Sequence, residues 1–437
     1  MEHLRKPLSV MAMKLFEAAA ESCPTDNIII SPFTVTSIVT MLYYASEDTH
    51  AGRQIENILK YSEMMDGRAD SRAVLMAFRE AVRVLTKNSA KEVEEENFSV
   101  AHEFRMVLGN RVFLQRDSHI NPEFLEMIQK NLRIEFENVN FDEDADAGLT
   151  EIERWLKEKI QARFKVSVPS DLVDHEYTGP RMVIASAAHF RAGWEVPFDK
   201  ALTKRVPFYT MEGKTYDVDM MHLTGKFPYY TEDKIGLKMV ELPYFRNEVS
   251  LILTLPTSTK PGALDEMTKK LRDSNVYVEM HMQKRMKMVS VAVPKFRFSS
   301  TFNIKRLLTL VGIREVFHDD VTLARMTTDE IFRCSEGVHK KRNPSILQNS
   351  MRTGRSSRRS RAEWEMRTLQ KLQRHLQKRT KFHQREKKDS PAGTEEFVAD
   401  SPFLPGSPTQ SHRTLYFRWQ CAAPMIAVPS LKKRKPT

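Results

Sequence analysis

Cysteine is scarce in this sequence: Cys23, Cys334 and Cys421 are the only three in 437 residues. Scattered so widely, they supply neither a disulfide framework nor the paired spacing of a zinc knuckle. Glycine is scarcer than proline, 15 against 21, which excludes a collagen-like chain and a Gly-rich linker. No apolar run is long enough to span a membrane, and the amino terminus lacks the apolar stretch of a cleavable leader. The expectation is a cytoplasmic protein, or one secreted without a leader, with no membrane partner. The triplet Asn97-Phe98-Ser99 then matches a glycosylation site by chance. Catalytic signatures are missing as well. There is no G-x-S-x-G, no H-E-x-x-H, no phosphate-cradling glycine loop and no C-x-x-C, and His189, His222, His281 and His318 are dispersed. An enzyme is not expected, and neither a metal nor any other cofactor.

What is present is enough apolar material, 41% of residues, for a sizeable core in one large domain or two ordinary ones. The net charge of +11 hides an asymmetry. From Lys340 onward there are 23 Lys and Arg against 7 Asp and Glu, whereas the first 339 residues carry 45 against 50. A mildly acidic body is joined to a strongly basic tail.

The most informative stretch is 27–45, NIIISPFTVTSIVTMLYYA. Three consecutive isoleucines predict a short strand buried on both faces, because a half-exposed strand would alternate. Ser31-Pro32 offers a cap and a first-turn proline. Val35, Ile38, Val39, Leu42 and Tyr43 then recur at helical spacing with no charge between them, so the helix belongs inside the protein. The hydroxyls of Ser31, Thr34, Thr36 and Ser37 each need a partner when buried, which points to something packed closely over the helix and held by hydrogen bonds.

Along the chain, 8–22 is amphipathic, Ile55, Ile58 and Leu59 mark a short helix, and a Met- and Arg-rich helical stretch runs to residue 88. Residues 91–96 read as a solvated loop, 108–114 as a strand and 122–132 as a helix. Residues 142–159 form a surface helix anchored by Trp155. After Pro180 the pattern becomes extended: strands over 182–190, 207–210, 237–242, 249–255 and 286–298, with one helix near 261–274. Proline at the head of 207–210 suits the first position of a strand. Helices first and strands later, without βαβ alternation, predict an α+β fold with large antiparallel or mixed sheets.

In order, NIIISPFTVTSIVTMLYYAS, LGNRVFLQ, ERWLKEKI, MVIASAAHFRAGWEVPFD, PFYTMEGKTYDVDMMH, GLKMVELPY, VSLILTLP, VPKF and FVADSPFL resemble the recurring landmarks of the serpin family, from about residue 8 to 339 and again over 397–404. The start almost directly at the first helix resembles the intracellular branch, with the extracellular space as the alternative for the family. The resemblance implies a monomer whose helix after Pro32 lies behind a five-stranded sheet. It places Ser31, Thr34 and His339 in the shutter region, where strands part to admit a new one, and Trp194 at the breach where insertion begins. Core packing is the plain alternative for each of these residues. Ser186 departs from the family, which usually has asparagine there. The implied activity is inhibition of a serine endopeptidase: an exposed loop offers a bait bond, and after cleavage it inserts as an extra strand.

That loop has to carry small uncharged residues on its buried side. Residues 340–396 instead form a basic insert in which only Gly393-Thr394-Glu395 resembles the hinge, and 397–404 regains the pattern before a divergent basic tail over 405–437. Two breaks around a recovered landmark resemble alternative splicing, intron retention, a gene-model error or an evolved new loop. If the insert does serve as bait, the candidates are Arg352, Arg355, Arg358, Arg359 and Arg361. Residues 362–388 have the spacing of a short basic helix, with a solvated segment as the plainer reading. The rival function is a non-inhibitory protein whose basic tail holds heparin or another polyanion.

Overall fold

The computed structural model describes residues 4–22, 28–64, 70–86, 104–159, 168, 181–209, 215–258, 260, 262–272, 283–295, 299–318, 321, 323–329, 332–342 and 395–398. The expected loop over 91–96, Asn97, Cys23, Cys421, the helix over 362–388, the five bait arginines and everything after Val398 lie outside the described residues.

The first part is helical: α1 (Arg5–Ser22), α2 (Pro32–Ala45), α3 (His50–Leu59), α4 (Tyr61–Met64) and α5 (Ser71–Leu85). The short helix expected around Ile55, Ile58 and Leu59 is α3, and the Met- and Arg-rich stretch expected to be helical through residue 88 holds α4 and α5. Lys60 takes a left-handed conformation (φ 55°) that ends α3, and Asp70 caps the start of α5 by accepting from Arg72 N. Next come β1 (Arg105–Gln115), α6 (Pro122–Leu132), β2 (Ile134–Val139) and α7 (Ala145–Lys159). α7 begins later than the expected residue 142, because Asp144 Oδ1 accepts from Ala147 N and so caps the helix from outside. The strand-rich part holds β3 (Arg181–Arg191), β4 (Lys204–Tyr209), β5 (Thr215–Glu232), β6 (Leu237–Pro243), β7 (Ser250–Pro256), α8 (Ala263–Arg272), β8 (Arg285–Pro294), β9 (Ser299–Asn303), α9 (Ile304–Val311), β10 (Arg333–Arg342) and β11 (Glu395–Val398). Pro207 stands inside β4 rather than at its head. It is tolerated because β4 pairs with β5 alone and so sits at an edge of the sheet. Among the described residues no helix is long and apolar enough to cross a membrane.

These strands make two sheets. The main sheet has the order β2-β1-β3-β10-β9, with β1 parallel to β2, β3 parallel to β10, and antiparallel pairs elsewhere. The second has the order β11-β8-β5-β6-β7, with β4 on β5. Alternation along β3 sends Met182 and Ile184 into the large core that holds α2, and Val183, Ala185 and Ala187 into a smaller core under α7. The main sheet is therefore covered on both faces, which is why β3 reads as a nearly unbroken apolar run.

All fourteen residues of α2 are buried, as its lack of charge requires. The isoleucines before it are buried too, at 4%, 5% and 7% exposure, yet they form no strand. Ile29 N donates to the side-chain Oγ of Ser300, 3.1 Å away, and not to a ladder partner. The α2 hydroxyls also correct the sequence expectation. Thr34 Oγ1 donates to Ser31 O (3.1 Å), Thr36 Oγ1 to Pro32 O (2.6 Å) and Ser37 Oγ to Phe33 O (2.9 Å). These three are satisfied by carbonyls one turn back, so whatever covers the helix is not held through them. Ser31 occupies the N-cap position, but its side chain makes no capping bond.

Candidate functional site

One row of residues runs across the main sheet above the start of α2. Asn110 of β1 is the register partner of Ser186 of β3, Ser186 of His339 of β10, and His339 of Phe302 of β9. Ser186 is fully buried, and Thr34 and Ser31 beneath the row are 1% and 6% exposed. Of the residues singled out in the sequence, Ser186 and His339 thus stand side by side, and Thr34 reaches the same row through Asn110.

Asn110 escaped the sequence reading. Its Nδ2 donates to the backbone carbonyl of Thr34, 3.0 Å away, so a side chain of β1 ties the sheet to the first turn of α2. The signal was a lone asparagine within the apolar strand LGNRVFL. A buried amide is kept in such a strand only if it is bonded. Asn110→Ala is expected to cost about 1–3 kcal/mol, read as a lower urea midpoint at unchanged slope. A midpoint equal to that of the parent protein would show that the tie carries nothing.

Lower on α2, Thr40 Oγ1 donates to Thr36 O and lies 2.8 Å from the hydroxyl of Tyr61. Burial pushes the Tyr61 phenol well above its ordinary range, so it stays a neutral partner there.

Trp194 stands apart from this row, beyond the end of β3. It stacks on Tyr244 with ring centroids 4.4 Å apart, meets Phe198 edge-on at 5.7 Å, and bridges to Tyr244 through the backbone. Packing accounts for every contact of Trp194 described here.

Between β3 and β10 the sheet is closed. The two strands pair from Arg333↔Arg181 to Arg342↔His189, interrupted by one bulge between Cys334 and Gly337. β10 extends to Arg342, past the expected end of the body at His339, and β11 starts at Glu395 in the other sheet, paired in parallel with β8. The 52 residues numbered 343–394 thus leave one sheet and enter the other, carrying 14 Lys and Arg against 4 Asp and Glu.

Residues 7–418 match the family described as Serpin (serine protease inhibitor). The chain belongs to the serpin family. This serpin is 25% identical over 345 residues to the leukocyte elastase inhibitor of Sus scrofa, an alignment covering 78% of this chain and 85% of that protein. Its fold is similar to that of Serpin48 from the insect Tenebrio molitor, with a TM-score of 0.67, 18% identity, and 91% and 92% of the two chains covered. It is equally similar to native protease nexin-1 with heparin, with a TM-score of 0.67, 20% identity, and 91% and 92% covered. The α+β serpin fold expected from the landmarks is the fold of this chain.

Proposed function

We propose that this serpin is cut by trypsin-like serine endopeptidases between β10 and β11 and does not trap them, because the segment that would have to enter the β3–β10 seam is incompatible with it. In this reading residues 1–339 are the serpin body, 340–396 stand in place of the hinge and bait loop, 397–404 rejoin the family pattern, and 405–437 are a divergent tail. Asn110, Ser186, Thr34, Ser31 and His339 form the shutter, with Trp194 at the breach.

The carrying observation is that the seam is lined by buried residues on both faces, Ile184 toward the α2 core and Ala185 toward the α7 core. A strand entering there buries its even-numbered and odd-numbered side chains alike. Over 352–361 the even positions hold Arg352 and Arg358 and the odd ones Arg355, Arg359 and Arg361, so no register keeps arginine out of either core. Each unpaired buried charge costs on the order of several kcal/mol.

The test is incubation with trypsin followed by a denaturing gel and an assay of the remaining trypsin. Two fragments cut between residues 343 and 394, with full protease activity, are the expected result. A denaturant-resistant covalent complex would overturn the proposal.

A second reading is favoured by the 14 to 4 charge ratio of residues 343–394. In it the protein is a polyanion-binding serpin, as protease nexin-1 has been solved with heparin. Retention on heparin that falls steeply with salt, and that is lost when this segment is removed, supports it.

A further inference from the structure

One face of β8 carries two methionines in water. Side chains at even positions of this strand point away from the large core, which takes Val289, Val291 and Val293. Toward the end of the strand the even face is covered, because Ala292 packs with Phe208 and Met220. Toward the start it is bare. Met286 is 62% exposed and Met288 40%, and neither joins an apolar cluster among the described residues. β11 pairs with β8 from Val289 to Ala292 and stops short of Met288.

Stability does not account for this pair. A solvent-facing strand position favours a β-branched residue, and an exposed methionine gains little from the removal of apolar surface from water. Other methionines of the two sheets lie inside: Met106, Met182, Met220, Met221 and Met239 are all 4% exposed or less.

What the pair offers is sulfur. Positions i and i+2 of a strand are about 7 Å apart along the backbone, so two unbranched, flexible side chains on one face can bring both sulfurs to one ion. A thioether is a soft donor that suits Cu(I), whereas Mg, Ca and Mn take oxygen. The register partners of Met286 and Met288 on β5 are Pro228 and Lys226, whose side chains add no oxygen. The Lys226 ammonium also repels a divalent ion about twice as strongly as a monovalent one at the same distance. Glu241 of β6, which follows the register partner of Tyr229 and so lies beyond Pro228, is already engaged: it accepts from Lys284 Nζ (2.6 Å) and Ser250 Oγ (2.7 Å). Among the described residues no group of three or more His, Cys, Asp or Glu could hold a metal ion, so harder ions have no comparable site there.

We propose that Met286 and Met288 form a two-thioether binding site for a soft monovalent cation, Cu(I). Met280 and Met282 precede them in the sequence and lie outside the described residues, so the site consists of the pair alone. It stands on the second sheet, apart from the β3–β10 seam, and holds whether or not the protein traps proteases.

Methyl NMR on the full chain, labelled with carbon-13 at the methionine ε-methyl groups, tests the site with Ag(I) as the air-stable probe. Met286→Leu and Met288→Leu assign the two signals, and as volume-conserving changes at exposed positions they should leave folding intact. Both signals are expected to shift together, at a lower Ag(I) concentration than the signal of Met76, a solitary methionine 64% exposed on α5. Met288→Leu should raise the Ag(I) concentration that half-shifts Met286 by roughly a hundredfold, because a second donor held close by is lost, and so bring Met286 level with Met76. Zn(II) at the same concentration should move neither signal. A response of the pair no earlier than that of Met76, an unchanged Met286 midpoint in Met288→Leu, or an equal response to Zn(II) would overturn the proposal.

Discussion

Exchanging residues 343–394 for a short loop of small uncharged residues is expected to make cleavage a stabilising event. In the parent protein the cut segment carries arginine at both parities over 352–361, and the β3–β10 seam would bury both faces of any strand it admitted. Cleavage there should leave the melting temperature within a few degrees of its starting value. In the exchanged protein the freed end can pair its backbone on both sides between β3 and β10 and bury small side chains above α2 and below α7. A gain of roughly 10 °C is expected, on the order of 5 kcal/mol for a domain of this size. Calorimetry before and after limited proteolysis decides the matter. A large gain in the parent protein would show that the arginine-rich segment is accommodated, and no gain in the exchanged protein would show that the seam does not open.

The second large effect concerns α2. Leu42 is fully buried in the large core, and Leu42→Ala is expected to cost about 2–5 kcal/mol, the lost transfer energy plus the cavity. The hydroxyls of the same helix should behave differently. Thr36 donates to a carbonyl of its own helix, so Thr36→Val should change stability by less than about 1 kcal/mol. Thr40→Val also removes the partner of a buried phenol and should cost about 1–3 kcal/mol. Urea midpoints at constant slope give all three values. A cost for Thr36→Val equal to that of Thr40→Val would mean that the Thr36 hydroxyl is held by something beyond its own helix.

The sequence was legible where burial is imposed by local pattern. α2 has no charge to place in water, and it is buried along its whole length. Strand β3 was visible because a strand covered on both faces needs apolar residues at both parities, and Trp155 because a large side chain on a charged helix needs an anchor. The opening isoleucines misled for the same reason. Continuous apolarity reports burial on all sides, and only the backbone partner, here the Ser300 side chain, decides between strand and coil. The hydroxyls of α2 misled because residue type announces that a bond is needed but not whether its acceptor lies one turn away or on another element. Pro207 was misplaced because edge position is a property of the sheet.

The order of landmarks, the uncharged helix and the break in pattern after His339 were fixed by the chain alone, since each rests on residues close together in sequence. That Asn110, Ser186 and His339 fall in one row, that the β3–β10 seam is lined by buried residues on both faces, and that Met286 and Met288 stay bare while Ala292 on the same face is covered were decided only by tertiary structure. Strand register brings together residues far apart along the chain, and nothing in local periodicity specifies which strand lies beside which.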